Sequence, residues 1–226
     1  MNIDDLKIKE ILLEERTTGG KLNIDPDKVL PRYLKNQEIQ QNRTKEKAEV
    51  FTPVEVVKRM NDMFDENFTG SDADYIRRKV LEVTCGEAPF LTTLYDASTG
   101  EKIPVENRVG LLDRKLARIN ITGDEFSWCL AATTVLQSTY GYEWQEDSLY
   151  IARRNVLSAV YEAFVSKFGK EPDLLDEWAE IVSYNLFRMD GVTMCVPETE
   201  IPAKVMNWET GKMERFDGKY DEIPLW

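Results

Sequence analysis

Two short stretches carry the residue types that a small ligand would need. The first, Leu81-Glu82-Val83-Thr84-Cys85-Gly86-Glu87-Ala88-Pro89-Phe90-Leu91, passes from an apolar run into a glycine and then into an aromatic-leucine pair. Gly86 lets the backbone approach a ligand closely, and Glu82 is placed to accept from a ligand ammonium or a ribose. The same residues also suit a turn glycine and a solvated or ion-paired acid, because a single glycine loop is a weak signal. The second stretch is Tyr140-Gly141-Tyr142-Glu143-Trp144, followed by Asp147 to Asn155. An acid at the end of a second strand is what nucleoside-binding folds use to hold ribose hydroxyls. Trp144 beside it can pack on an adenine ring, or lie in the core as an ordinary tryptophan. Asp190-Gly191 follows a third apolar run and offers an acid to an adenine amino group, or simply a turn. Cys85 has no histidine to activate it and is not read as a nucleophile.

These residues need strands alternating with helices to bring them together. Lys79 to Thr84, Tyr140 to Trp144 and the run toward Met189 read as short strands. Helical spacing predicts helices over Asp4 to Arg16, Ala88 to Tyr95, Arg108 to Asn120, Asp124 to Thr139, Asp147 to Phe168 and Pro172 to Ser183. Thr52-Pro53-Val54-Glu55 predicts a helix start, with Thr52 as cap, Pro53 in the first helical position and Glu55 completing a capping box. Lys204 to Phe216 resembles a hairpin turning at Thr210-Gly211. Residues 1–50 are expected to form an N-terminal helical arm, with polar residues 26–47 exposed, and residues 51–226 an α/β domain. The alternation implies a doubly wound, mostly parallel, Rossmann-like sheet.

Composition narrows the chemistry. There is no histidine, which removes serine-histidine hydrolases, histidine phosphatases and most zinc enzymes. Cys85, Cys129 and Cys195 are scattered, with neither a disulfide framework nor metal-ligand spacing, and fit a reducing cytoplasm. No apolar run is long enough to span a bilayer and no signal peptide is expected. The net charge of −12 works against duplex binding by this chain alone. A local basic patch at Arg114, Lys115 and Arg118 reads more simply as a solvated helix face.

Taken in order, the motifs resemble adenine-specific DNA methyltransferases of restriction-modification systems that begin with an FTP element. Phe51-Thr52-Pro53 matches that element, which in the family touches the methionine part of the cofactor. Glu82 to Leu91, with Glu82, Thr84, Gly86 and Phe90, is similar to the family's cofactor loop. Gly141-Tyr142-Glu143, Trp144 and the Asp147 to Asn155 stretch are similar to its ribose-binding segment, and Asp190 falls where the family contacts adenine. The resemblance implies S-adenosylmethionine as cofactor and a Rossmann-like methyltransferase domain. It spans about Lys47 to Gly191.

Two departures qualify it. The family's second loop glycine is replaced by Glu87-Ala88-Pro89. The Asn- or Asp-Pro-Pro-aromatic loop that holds a flipped adenine is not found, and the nearest string is Tyr220-Asp221-Glu222-Ile223-Pro224-Leu225-Trp226. The expectation is therefore a cofactor-binding, methyltransferase-like protein, incomplete or inactive alone, whose protein partner supplies catalytic or target-recognition parts. The alternatives are a working methyltransferase with unrecognised catalytic residues, or an acidic interaction, anti-restriction or regulatory factor that kept the fold. Glu82→Ala or Glu143→Ala is expected to abolish cofactor binding and leave the fold intact.

Overall fold

In the computed structural model, which describes residues 3–35, 52–96, 99–120, 123–218 and 221–222, the chain opens with helix α1 (Leu6–Leu13). The Asp5 carboxylate starts it by accepting from Lys7 N. Strands β1 (Glu14–Glu15) and β2 (Gly20–Lys21) pair antiparallel, and a single 3-10 turn follows at Arg32–Leu34. Next come α2 (Val54–Asp65), α3 (Asp72–Arg77), β3 (Val80–Glu82), α4 (Leu111–Ile119) and α5 (Glu125–Gln137). The chain continues through β4 (Thr139–Glu143), α6 (Glu146–Phe168), α7 (Leu175–Asn185) and β5 (Leu186–Arg188). It closes with the hairpin β6 (Lys204–Asn207) and β7 (Lys212–Arg215), then β8 (Asp221–Glu222).

The result is a mixed α/β fold around a parallel sheet of order β5-β4-β3-β8. Period-2 alternation sorts its residues to two faces. Val80 and Leu186 face a core built from the helices, while Leu81, Tyr140, Tyr142 and Phe187 face a second, smaller one. Gly141 lies on the crowded side: a β-carbon there would come within 2.7 Å of a Leu186 methyl and 3.2 Å of Cys85 Sγ. On the helical side, Trp128 of α5, Phe164 of α6 and Trp178 of α7 meet edge to face, with centroids 5.5–6.1 Å apart. Each such ring contributes on the order of 2–3 kcal/mol by burial. Helix α6 is buried on several sides, which explains why its apolar residues form no single stripe.

The second face is covered by the hairpin, through Ala203, Val205 and Phe216. A doubly wound fold places helices there; among the described residues, the hairpin takes that role. Helix α1 buries Ile8, Leu12 and Leu13 in the same core as α6 and α7, so residues expected in a separate arm share the domain's interior. Arg153 fastens this joint. Fully buried, it donates to the carbonyls of Leu12, Glu14, Ser183 and Leu186 at 2.7–3.1 Å, satisfying groups that the ends of α1 and α7 leave open. The rest of the expected arm, residues 36–50, lies outside the described residues.

Three local expectations are corrected. Helix α2 begins at Val54 with Pro53 in the cap position, and no side chain caps it; the Pro53 carbonyl instead accepts from Val56 N and Val57 N. No helix forms over Ala88 to Tyr95. Ala88 has φ 62°, Pro89 has no N–H to donate, and the N–H groups of Phe90 and Leu91 go to the Glu82 carboxylate. The Arg108 to Asn120 helix starts only at Leu111, because Gly110 is an extended N-cap pressed against the Leu91 carbonyl.

Candidate functional site

The carboxyl ends of β3, β4 and β5 lie side by side, since Glu82 pairs with Gly141 and Glu143 with Arg188. The loop leaving β3 has left-handed backbone at three positions, Thr84 (φ 45°), Gly86 (φ 55°) and Ala88 (φ 62°). Such conformations cost energy in residues other than glycine and persist only where the surroundings over-determine them. Here acids supply the constraint. Glu82, 2% exposed, accepts from Phe90 N (3.3 Å) and Leu91 N (3.0 Å). Glu143 accepts from Gly86 N at 2.8 Å and, through its other oxygen, from Trp144 N and Gln145 N at 2.8 and 2.9 Å. Asp113 of α4 takes Thr93 N, Gly110 N and the Thr92 hydroxyl. Glu87 accepts from Arg32 N (2.7 Å) and from the Tyr95 hydroxyl (2.8 Å).

Burial sets the protonation of these groups. Glu82 is pushed up to about 8 by loss of water, against the opposing pull of its two backbone N–H donors; the nearby Glu143 charge adds to the rise. Asp113 is raised by the same desolvation, and the Cys85 thiol is pushed well up, which suits an inert core cysteine. Asp190 is held below its ordinary value, chiefly by the N–H of Val192 at 2.8 Å.

The expected site residues thus fall into three groups. Glu82 with Phe90, and Glu143 with Gly86, are hydrogen-bonded around the β3 loop, and Thr84 is a left-handed residue of the same loop. There, Glu82 and Glu143 hold backbone N–H groups, so replacing either by alanine should also loosen the loop. Trp144 and Asp190 sit at the neighbouring strand ends. Trp144 is 39% exposed rather than a core residue, and Asp190 accepts from Val192 N and the Thr193 hydroxyl. Gly191 leaves room for Tyr142, whose hydroxyl would lie 2.7 Å from an added β-carbon. Thr52 and Pro53 stand at the start of α2, whose Asn61 donates to the carbonyls of Phe90 and Val109 and so ties that helix to the loop. Phe51 lies outside the described residues.

Four further residues contribute that were not among the expected site residues. Arg188 links the ends of β4 and β5 by donating to the Trp144 carbonyl and pairing with Glu146 at 2.9 Å. Asn155, on α6, donates to the Glu87 carbonyl and the Tyr95 hydroxyl. Glu87 and Asp113 complete the set; the Gly-Leu-Leu-Asp spacing of a helix start was the one signal for Asp113. The basic run is not a solvated face. Lys115 is buried against the carbonyls of Arg78 and Ser138, Arg114 pairs with Asp62 and Asp65, and Arg118 with Asp72. A cavity of about 150 Å³ lies between α4 and α6, near Arg108, Leu116 and Ala163, and shares Asp113 with the loop's supporting set.

No protein-family model, curated protein or solved structure matches this chain. Among the described residues, no helix is long and apolar enough to cross a membrane.

Proposed function

We propose that the chain is an S-adenosylmethionine-binding domain of the DNA-methyltransferase type that works with a protein partner. The observation that carries this reading is the bond from Gly86 N to Glu143 at 2.8 Å, which joins the glycine loop and the second-strand acid into one element. Strand order supports it. Numbered as the chain visits them, the parallel strands lie 3-2-1-4, the order of one half of a doubly wound nucleotide-binding sheet with the first strand of the other. In such sheets the ligand crevice opens where the order reverses, here between β3 and β8. In this reading Gly86 and Thr84 lie along the methionine part, Glu143 takes a ribose hydroxyl, Trp144 packs on adenine and Asp190 meets its amino group. Phe51, Thr52 and Pro53 would close the methionine side. The grip on DNA falls to the partner, because a chain with net charge −12 is repelled by a duplex. The three free cysteines fit a cytoplasmic setting.

Calorimetric titration with S-adenosylmethionine and S-adenosylhomocysteine tests the reading. Saturable binding in the micromolar range, weakened about tenfold by Trp144→Ala, supports it. No binding up to millimolar ligand overturns it. A second reading, a protein that kept the fold but binds another protein, is favoured by one observation: Glu82 and Glu143 already spend oxygens on backbone N–H groups. It would gain if the cofactor fails to bind while a restriction or nuclease component binds tightly.

A further inference from the structure

Residues 22–35 cross from the start of α6 to the β3 loop. Asn23 N donates to Glu146 at 2.9 Å, and Lys35 Nζ lies 3.6 Å from Asp147, both acids being in the first turn of α6. The 3-10 turn between them meets the loop itself. Arg32 N donates to Glu87 Oε1, and the Tyr33 ring packs on Tyr95 with centroids 4.8 Å apart. Glu87 Oε2 accepts from Tyr95, and Asn155 holds both the Glu87 carbonyl and the Tyr95 oxygen. Glu87 is thus the node joining this strap, helix α6 and the loop. It also lies between the left-handed residues Gly86 and Ala88, where the local backbone most needs outside support.

We propose that Glu87 is a positioning residue: by anchoring the Arg32–Leu34 turn, it holds Thr84 to Ala88 in the shape that receives the ligand. The ligand half of this inference rests on the methyltransferase reading, and the loop half does not. Glu87 therefore adds an anchoring carboxylate between two left-handed positions. A glycine loop is shaped by its freedom; this loop is shaped by its bonds.

Amide hydrogen exchange on the full chain tests the loop half, with Glu87→Ala, Glu87→Gln and Tyr33→Ala compared with wild type. Glu87→Ala should speed exchange at Arg32, Gly86, Phe90 and Leu91, while the β4 amides stay protected and report an intact fold. Glu87→Gln keeps an acceptor for Arg32 N and should restore slow exchange. Tyr33→Ala, altered only on the strap, should also speed exchange at Gly86. Unchanged exchange at Gly86, Phe90 and Leu91 in Glu87→Ala would overturn the inference. Calorimetry with S-adenosylhomocysteine tests the ligand half. Where wild type binds, Glu87→Ala should weaken affinity about tenfold and Glu87→Gln should not. Equal affinities for wild type and Glu87→Ala would overturn that half. Absence of binding by wild type would sink the methyltransferase reading instead, and the exchange result would still decide the strap's role.

Discussion

The buried carboxyl of Glu82 makes the stability of this chain depend on pH in a range where it would otherwise change little. The chain has no histidine, so no side chain of ordinary pKa changes charge between pH 5.5 and 7.5. Glu82, with its ordinary value at 4.5, is held at about 8 in the fold by desolvation. A carboxyl whose folded pKa is raised keeps its proton in the native state while the unfolded chain gives it up. Its contribution is therefore complete below 4.5 and declines as pH rises to about 8. At roughly 1.4 kcal/mol per unit, going from pH 5.5 to 7.5 should cost wild type about 2.5 kcal/mol through this residue. Of the other buried groups, Asp113 is raised and acts in the same sense as Glu82, while Lys115, pushed down by burial, acts in the opposite one. Acids held low, such as Asp62 and Asp190, act only below their ordinary value of 3.8. The quantity to measure is accordingly the difference between wild type and Glu82→Gln, which share every group except this one. Urea unfolding followed by tryptophan fluorescence at pH 5.5, 6.5 and 7.5 supplies it. The wild-type stability should fall relative to Glu82→Gln by about 2.5 kcal/mol over that span. Parallel curves would show that the carboxyl titrates normally and that the account of its burial is wrong.

Two further perturbations test the scaffold. Arg153→Met should remove about 3–5 kcal/mol, because it leaves four carbonyls without their donor in a dry joint, and urea unfolding at pH 7 would register it; a loss under about 1 kcal/mol would mean that those carbonyls find other partners. Gly110→Ala places a β-carbon 2.2 Å from the Leu91 carbonyl oxygen, so backbone must shift and about 1–3 kcal/mol should be lost. An unchanged Tm for that variant would contradict the described contact between the α4 start and the β3 loop.

Elements with strong local punctuation were legible in the sequence. Asp124 caps α5 by accepting from Ser127 N, Gly169 ends α6 in a left-handed conformation, and Gly211 turns the hairpin with φ 66°. The glycine loop and the acid ending β4 were legible too, as a set of residues. What those residues bond to was not. Local pattern made Ala88 to Tyr95 a helix because its apolar spacing was right, yet a carboxylate six residues before that stretch takes the N–H groups at Phe90 and Leu91. Lys115 looked like part of a basic surface because charge on a helix is normally solvated. Its acceptors, at Arg78 and Ser138, come from segments 37 and 23 residues distant. Contacts made across such distances are tertiary, and no short pattern encodes them.

The acids around the β3 loop also constrain how a ligand could be recognised. Glu82 is nearly excluded from water and spends both oxygens on Phe90 N and Leu91 N, so a ligand ammonium reaches it only if that turn opens. Glu143 is committed to three backbone N–H groups, and a ribose hydroxyl would have to share an oxygen with one of them. Trp144 has exposed surface to offer, as do Thr84 and Pro53. Recognition in the proposed site would therefore draw on stacking and on backbone presented by the strained loop more than on newly formed carboxylate pairs. Glu82 belongs on this argument to the loop's support. Its replacement by Gln should change stability with pH more than it changes affinity, whereas truncating Trp144 should do the reverse.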